Sequence, residues 1–237
     1  MKKLIIICVV FGLASFATAG PTFYVAPNAY PTTSSTLDVP WQTAVGNFTE
    51  FDLDGFPKPT DLDTLTAGTV TIDVGLGGLG GPASTAEIFW GSYGGVYGTV
   101  DGGALLNRDA FGGPHNEITF SFSEPVVGFG AWVFDNAASS MESFEMTVTE
   151  VGGTTFTSLV LESWNGYPHF VEGWLAATSS VGITDVSFRV IDGSGDPVMS
   201  YFEIDHLQVS LIPAPGAILL GGIGVALVGW LRRRRTL

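Results

Sequence analysis

Glu117-Ile118-Thr119-Phe120-Ser121-Phe122, followed from position 126 by Val126-Val127-Gly128-Phe129-Gly130-Ala131-Trp132-Val133-Phe134, decides the fold class. In the first run Ile118, Phe120 and Phe122 occupy alternate positions, the period of a strand with one face buried and one in water. In the second run both phases are apolar, with Phe129, Ala131 and Val133 opposite Trp132 and Phe134. A strand of that kind is central and covered on both sides.

The alternation recurs outward from this stretch, in Phe144, Met146 and Val148 and again in Val186, Phe188 and Val190. Thr69–Val74, Ala86–Trp90 and Thr154–Leu161 read as further strands. Nothing in the body sustains a helical apolar stripe over several turns. About ten short strands, joined by Gly, Pro and Asp turns, predict a single all-β domain, a jelly-roll-like β-sandwich. Near its end, Phe202 and Ile204 share one phase while Leu207 and Val209 take the other, so a bulge is expected at Asp205-His206.

Charge narrows the partners. All 23 acidic residues lie between positions 20 and 212, where only Lys58, Arg108 and Arg189 are basic. The body therefore carries −20, against −14 for the whole chain of 237 residues. Nucleic acid is excluded as a partner, because phosphate binding runs on Lys and Arg. Anionic lipid is disfavoured for the same reason. The one cysteine, Cys8, lies outside the body, which leaves no disulfide, thiol nucleophile or thiolate metal site there. A body of roughly 190 residues buries a sufficient core without such staples.

The ends read as addresses. Met1-Lys2-Lys3, an apolar run to Phe16 and Ala17-Thr18-Ala19 make a secretory signal over residues 1–19, with cleavage expected after Ala19. The secreted domain is then 20–211. Residues 212–237 hold Pro213-Ala214-Pro215-Gly216, an uncharged apolar run over 217–231 and Arg232-Arg233-Arg234-Arg235. The run predicts a short transmembrane helix, with the four arginines on the cytoplasmic side.

This three-part tail resembles the PEP-CTERM sorting signal of exported bacterial proteins, with Ala214 where the usual motif has Glu. The resemblance implies export machinery and an exosortase-type processing enzyme as partners. It also implies a membrane-anchored, cell-surface or matrix location and a host that makes extracellular polysaccharide in a biofilm. Phe170–Trp174, Ile183–Phe188 and Phe202–Val209 together resemble a recurring pattern of exported bacterial β-sandwich domains, in which the last strand closes the sheet.

Candidate sites are few. Trp90, Tyr93, Trp164 and Tyr167 stand in Gly- and Asn-rich surroundings, and rings so placed stack on sugar faces. Asp52 and Asp54, and Asp192 and Asp196, flank Gly-containing turns and are candidate ligands for a structural calcium ion, the one cofactor the sequence suggests. Gly75-Leu76-Gly77-Gly78-Leu79-Gly80 fits G-x-G-x-x-G, but Pro82 follows where a dinucleotide site needs a helix, so a loop is expected. No nucleophile elbow or zinc motif occurs, and His115, His169 and His206 are scattered. The expectation is a non-enzymatic structural or adhesive surface protein, with extracellular polysaccharide as its ligand. The alternative is a secreted carbohydrate-active enzyme, a glycoside hydrolase or lyase.

Overall fold

The computed structural model describes residues 20–27, 38–51, 53, 56, 60–77, 86–90, 103–106, 117–135, 143–158, 161–162, 171–198 and 202–212. The alternating stretches become strands, and the two runs quoted first join into one. β8, Glu117–Asp135, continues through Ser123-Glu124-Pro125 for 19 residues. Its partner β12, Val171–Ile191, is 21 residues long. Drawn straight, Phe120 and Phe129 would lie about 30 Å apart at roughly 3.3 Å per residue. Their ring centroids are 4.9 Å apart. β8 therefore bends back over itself, and β12 bends with it.

The bend divides the described strands into two layers. The first layer contains β4 (Thr64–Ala67), β5 (Val70–Gly77), the first half of β8, the second half of β12, β9 (Ser143–Glu150), and then β10 (Thr155–Thr157) and β11 (Leu161–Glu162). The second contains β1 (Thr22–Pro27), the first half of β12, the second half of β8 and β13 (Phe202–Leu211). On its far side β13 pairs with β2 (Thr49–Phe51) and β7 (Gly103–Leu106), and β6 (Ala86–Trp90) and β3 (Thr60–Leu62) follow β7. All the paired strands are antiparallel.

The inner faces make the main core. Phe120 and Phe188 of the first layer meet Phe129 of the second, and Phe144 of the first meets Phe202 of the second at 5.3 Å. The bend itself is built by side chains. Ser179 Oγ donates to Glu150 Oε1 at 2.6 Å and accepts the N–H groups of Val181 and Gly182. Gly182 has φ +98, and a Cβ there would also meet Pro125 Cβ at 2.8 Å.

The expected bulge is present. Asp205 pairs with Trp132 and Gln208 with Gly130, leaving two residues, His206 and Leu207, against one, Ala131, and His206 takes φ +47. The extra residue returns Leu207 and Val209 to the core face beside Phe202 and Ile204.

The outer side of β8 is covered too. Trp132, Trp174 and Trp41 form a second apolar cluster, with centroid separations of 6.3 Å and 6.0 Å along the series. Trp41 lies on α1, Val39–Val45, a seven-residue helix opened by Pro40 and closed at Gly46. It is too short to show a stripe in sequence. Its indole N–H donates to Ala177 O at 3.1 Å. Asp38 makes no capping bond and instead accepts from Gln42 Nε2 and Gln208 Nε2, which ties the helix to β13.

Two strand expectations change in detail. Gly75-Leu76-Gly77 is the end of β5 rather than a loop, with Gly75 O accepting from Thr119 Oγ1. Thr154–Leu161 is not one strand. β10 stops at Thr157, where buried Ser158 turns its hydroxyl to the N–H of Met146.

Candidate functional site

The alternation that buries Ile118, Phe120 and Phe122 sends Glu117, Thr119 and Ser121 outward. β12 likewise presents Asp185, Ser187 and Arg189, and β9 presents Thr147 and Thr149. Register aligns these positions. One row crosses six strands as Thr64, Asp73, Ser121, Asp185, Thr149 and Thr155. The next crosses five as Gly75, Thr119, Ser187, Thr147 and Thr157. A third holds Glu117, Arg189 and Glu145.

Strand spacing sets the pitch at about 4.8 Å along each row and roughly 6.8 Å between rows. An open depression of about 310 Å³ lies over the middle, lined by Glu117, Thr119, Ser121, Thr147, Thr149 and Asp185, with Ser187 beside them.

The hydroxyls are partly engaged. Ser121 Oγ donates to Asp185 Oδ1 at 2.7 Å, and Thr149 and Thr155 share a hydrogen bond at 3.4 Å. Thr147 and Ser187 are half-exposed and have no side-chain partner among the described residues. Each hydroxyl can donate once and accept twice. A flat array of such groups suits a ligand that is itself a ladder of hydroxyls. Thr favours strands for packing reasons alone. The informative feature is that the hydroxyl positions of separate strands fall into register.

The outer face of the second layer is different in kind. Glu203, Asp205, Gln208 and Ser210 of β13 are all buried. Gln208 and Ser210 are held by Asp38 and by Asn47 O, at the α1 end. Glu203 and Asp205 pair across the ladder with Phe134 and Trp132. His206 Nδ1 lies 2.8 Å from Glu50 Oε1.

Of the residues singled out in sequence, Asp192 has a definite role. Its Oδ1 accepts the N–H groups of Ser194 at 2.8 Å and Asp196 at 3.0 Å, which shapes the turn after β12. Among the described residues no group of three or more His, Cys, Asp or Glu could hold a metal ion. Trp90 is the last residue of β6. Its side chain lies outside the described residues, as do Tyr93, Trp164, Tyr167, Asp52, Asp54, Ala17, the Pro213–Gly216 motif and the Arg232–Arg235 cluster. No helix among the described residues is long and apolar enough to cross a membrane.

No protein-family model matches the chain, and no curated protein matches it. Solved structures similar to it include three carbohydrate-binding modules. A family 29 module, CBM29-2, is 13% identical, with 69% of this chain and 92% of that one covered and a TM-score of 0.36. The CBM22-1 xylan-binding domain of Paenibacillus barcinonensis Xyn10C is 13% identical over 70% and 94%, at 0.34. The C-terminal family 22 module of Clostridium thermocellum Xyn10B is 16% identical over 71% and 96%, at 0.35. All are distant likenesses.

Proposed function

We propose that the chain is an exported, non-enzymatic component of the cell surface or extracellular matrix that holds polysaccharide against the outer face of its first layer. The jelly-roll-like sandwich is the rigid support. Residues 1–19 direct export, and 212–237 act as a PEP-CTERM-like sorting and anchoring tail. The observation that carries the binding role is the registered pair of hydroxyl rows crossing five and six strands. On a flat polar face, direct and water-bridged hydrogen bonds are each weak, and many in register give useful retention.

The test is co-sedimentation of the full chain with the host's extracellular polysaccharide, beside the variant Thr119→Val, Thr147→Val and Ser187→Ala. Those changes remove three hydroxyls and little volume. Loss of retention with an unchanged melting curve supports the reading, and unchanged retention removes it. The tail has its own test, mass spectrometry of the C-terminus in the native host. An end near Pro213–Gly216 supports processing, whereas an intact Leu237 makes the segment a permanent anchor.

The second reading is a secreted carbohydrate-active enzyme, for which Glu203 and Asp205 are the candidates. They stand two positions apart on one face of β13, about 6.8 Å along the strand, beside aromatic neighbours. Release of reducing ends from any polysaccharide, abolished by Glu203→Gln, would establish it in place of the first.

A further inference from the structure

Charge on the hydroxyl face selects among polysaccharides. In the six-strand row, Asp73 and Asp185 flank Ser121 on adjacent strands, giving acid, hydroxyl, acid in sequence. Their backbone positions stand about 9.6 Å apart, two strand spacings. Asp73 is exposed, and half-buried Asp185, which lines the depression, has Oδ1 engaged by Ser121. In the third row Arg189 lies between Glu117 and Glu145 and grips Glu145 through both Nε and Nη2. The described face thus sets four carboxylates against one guanidinium, which is already paired.

A uronate or sulfated chain laid on this surface would bring like charges within a few ångströms of Asp73 and Asp185. A neutral chain would use the hydroxyl rows and donate its own hydroxyls to the acids, without the opposite charge that an ammonium group brings to them. A chain carrying free amines uses both, because ammonium groups make charge-assisted hydrogen bonds to carboxylates while ring hydroxyls engage the Thr and Ser rows. The −20 body adds long-range attraction of the same sign.

We infer that the ligand of this face is an amine-bearing polysaccharide, a polymer of partly or fully deacetylated amino sugars. This rests on the proposed polysaccharide-holding role and specifies its ligand class. Asp73 and Asp185 are the positions that distinguish it from a neutral chain.

The experiment is co-sedimentation of the full chain with chitosan, with fully acetylated chitin and with calcium-gelled alginate, at low salt and at about 0.5 M salt, where exposed charges are screened. The variants are Asp73→Asn with Asp185→Asn, and a control pair, Glu124→Gln with Asp196→Asn, which removes the same charge from exposed sites outside the rows. The expected result is retention on chitosan that weakens with salt and falls about tenfold in the first pair, equivalent to ~1.4 kcal/mol. The control pair should stay within about twofold of the parent. Asn keeps an acceptor for Ser121, so superimposable melting curves establish that the fold is intact.

Equal losses in both pairs would overturn the inference, since bulk charge would then suffice. Equal retention on chitin and chitosan, abolished by the hydroxyl variant, would overturn it while leaving the proposed function standing. Preference for alginate would overturn it in favour of a cation-bridged acidic chain. Binding to none of the three, with the host polysaccharide still retained, would also refute the amine-bearing class. Binding to none, the host material included, would remove both readings together.

Discussion

Gly130→Ala tests whether the second apolar cluster is packed as described. A Cβ at Gly130 would lie 2.4 Å from Trp174 Cζ2 and 2.6 Å from Ala176 Cβ. Comfortable carbon contacts are about 3.5–4.0 Å, so the indole would have to withdraw by roughly 1 Å. It has little room to do so. Trp174 is fully buried and wedged between Trp132 and Trp41, and Trp41 is itself anchored to Ala177 O. Overpacking of a filled site costs about 1–3 kcal/mol and at times more. Simultaneous clashes against a pinned ring and the buried Ala176 methyl place the expected loss near 2–4 kcal/mol. In a domain of this size that lowers the melting midpoint by about 5–15 °C. The assay is thermal and urea unfolding followed by tryptophan fluorescence, which reports on the same rings. Adding Trp174→Leu should recover part of the loss, so that the double variant is less destabilised than the sum of the singles by about 1–3 kcal/mol. A midpoint within about 2 °C of the parent would refute the account.

Ser179→Ala removes three hydrogen bonds at the bend and leaves buried Glu150 without the hydroxyl that serves it; urea unfolding should show a loss of about 2–4 kcal/mol. Arg189→Met strips the partner from Glu145, whose side chain is 11% exposed, and should destabilise by about 1–3 kcal/mol, with Glu145→Gln restoring part of it in the double variant. Asp192→Ala loses two turn bonds at an exposed hairpin and should lower stability by about 1 kcal/mol, while hydrogen exchange quickens at Ser194 and Asp196 and nowhere in the core.

Much of the core was legible because its signal is local. Ile118, Phe120 and Phe122, then Phe144, Met146 and Val148, then Val186, Phe188 and Val190 all face inward as their period of two requires. The double-sided run of β8 announced a second covered face, and Trp132 lies on it. The slip at Asp205-His206 announced the bulge, since one added residue is the simplest way to keep Leu207 and Val209 inside.

What covers the second face was not legible, because it depends on contacts across the chain. Trp41 reaches Ala177 from 136 positions away, on a helix of seven residues. The bend was equally hidden, for nothing in Ser179-Ser180-Val181-Gly182 says that the strand resumes in another layer. The hydroxyl face was not read in the sequence for a related reason. The aromatic residues drew notice as isolated side chains, which lie outside the described residues, whereas this face is made of the plain outward positions Thr119 and Ser121, Thr147 and Thr149, Asp185 and Ser187. Those become a surface only once register aligns them, and register is set by pairing between distant strands.

The doubling back of β8 and β12 also governs how this body comes apart. Each of the two strands is a member of both layers, so peeling one layer tears the ladder that begins the other. A single cooperative unfolding transition is the consequence, without a half-open state in which one sheet survives. Assembly bears the matching burden, since the central hairpin must close across a separation of dozens of residues before either sheet can be completed, and such topologies fold slowly. A chain of this kind is slow to reach its final state and, once there, leaves a protease no partly opened sheet to cut.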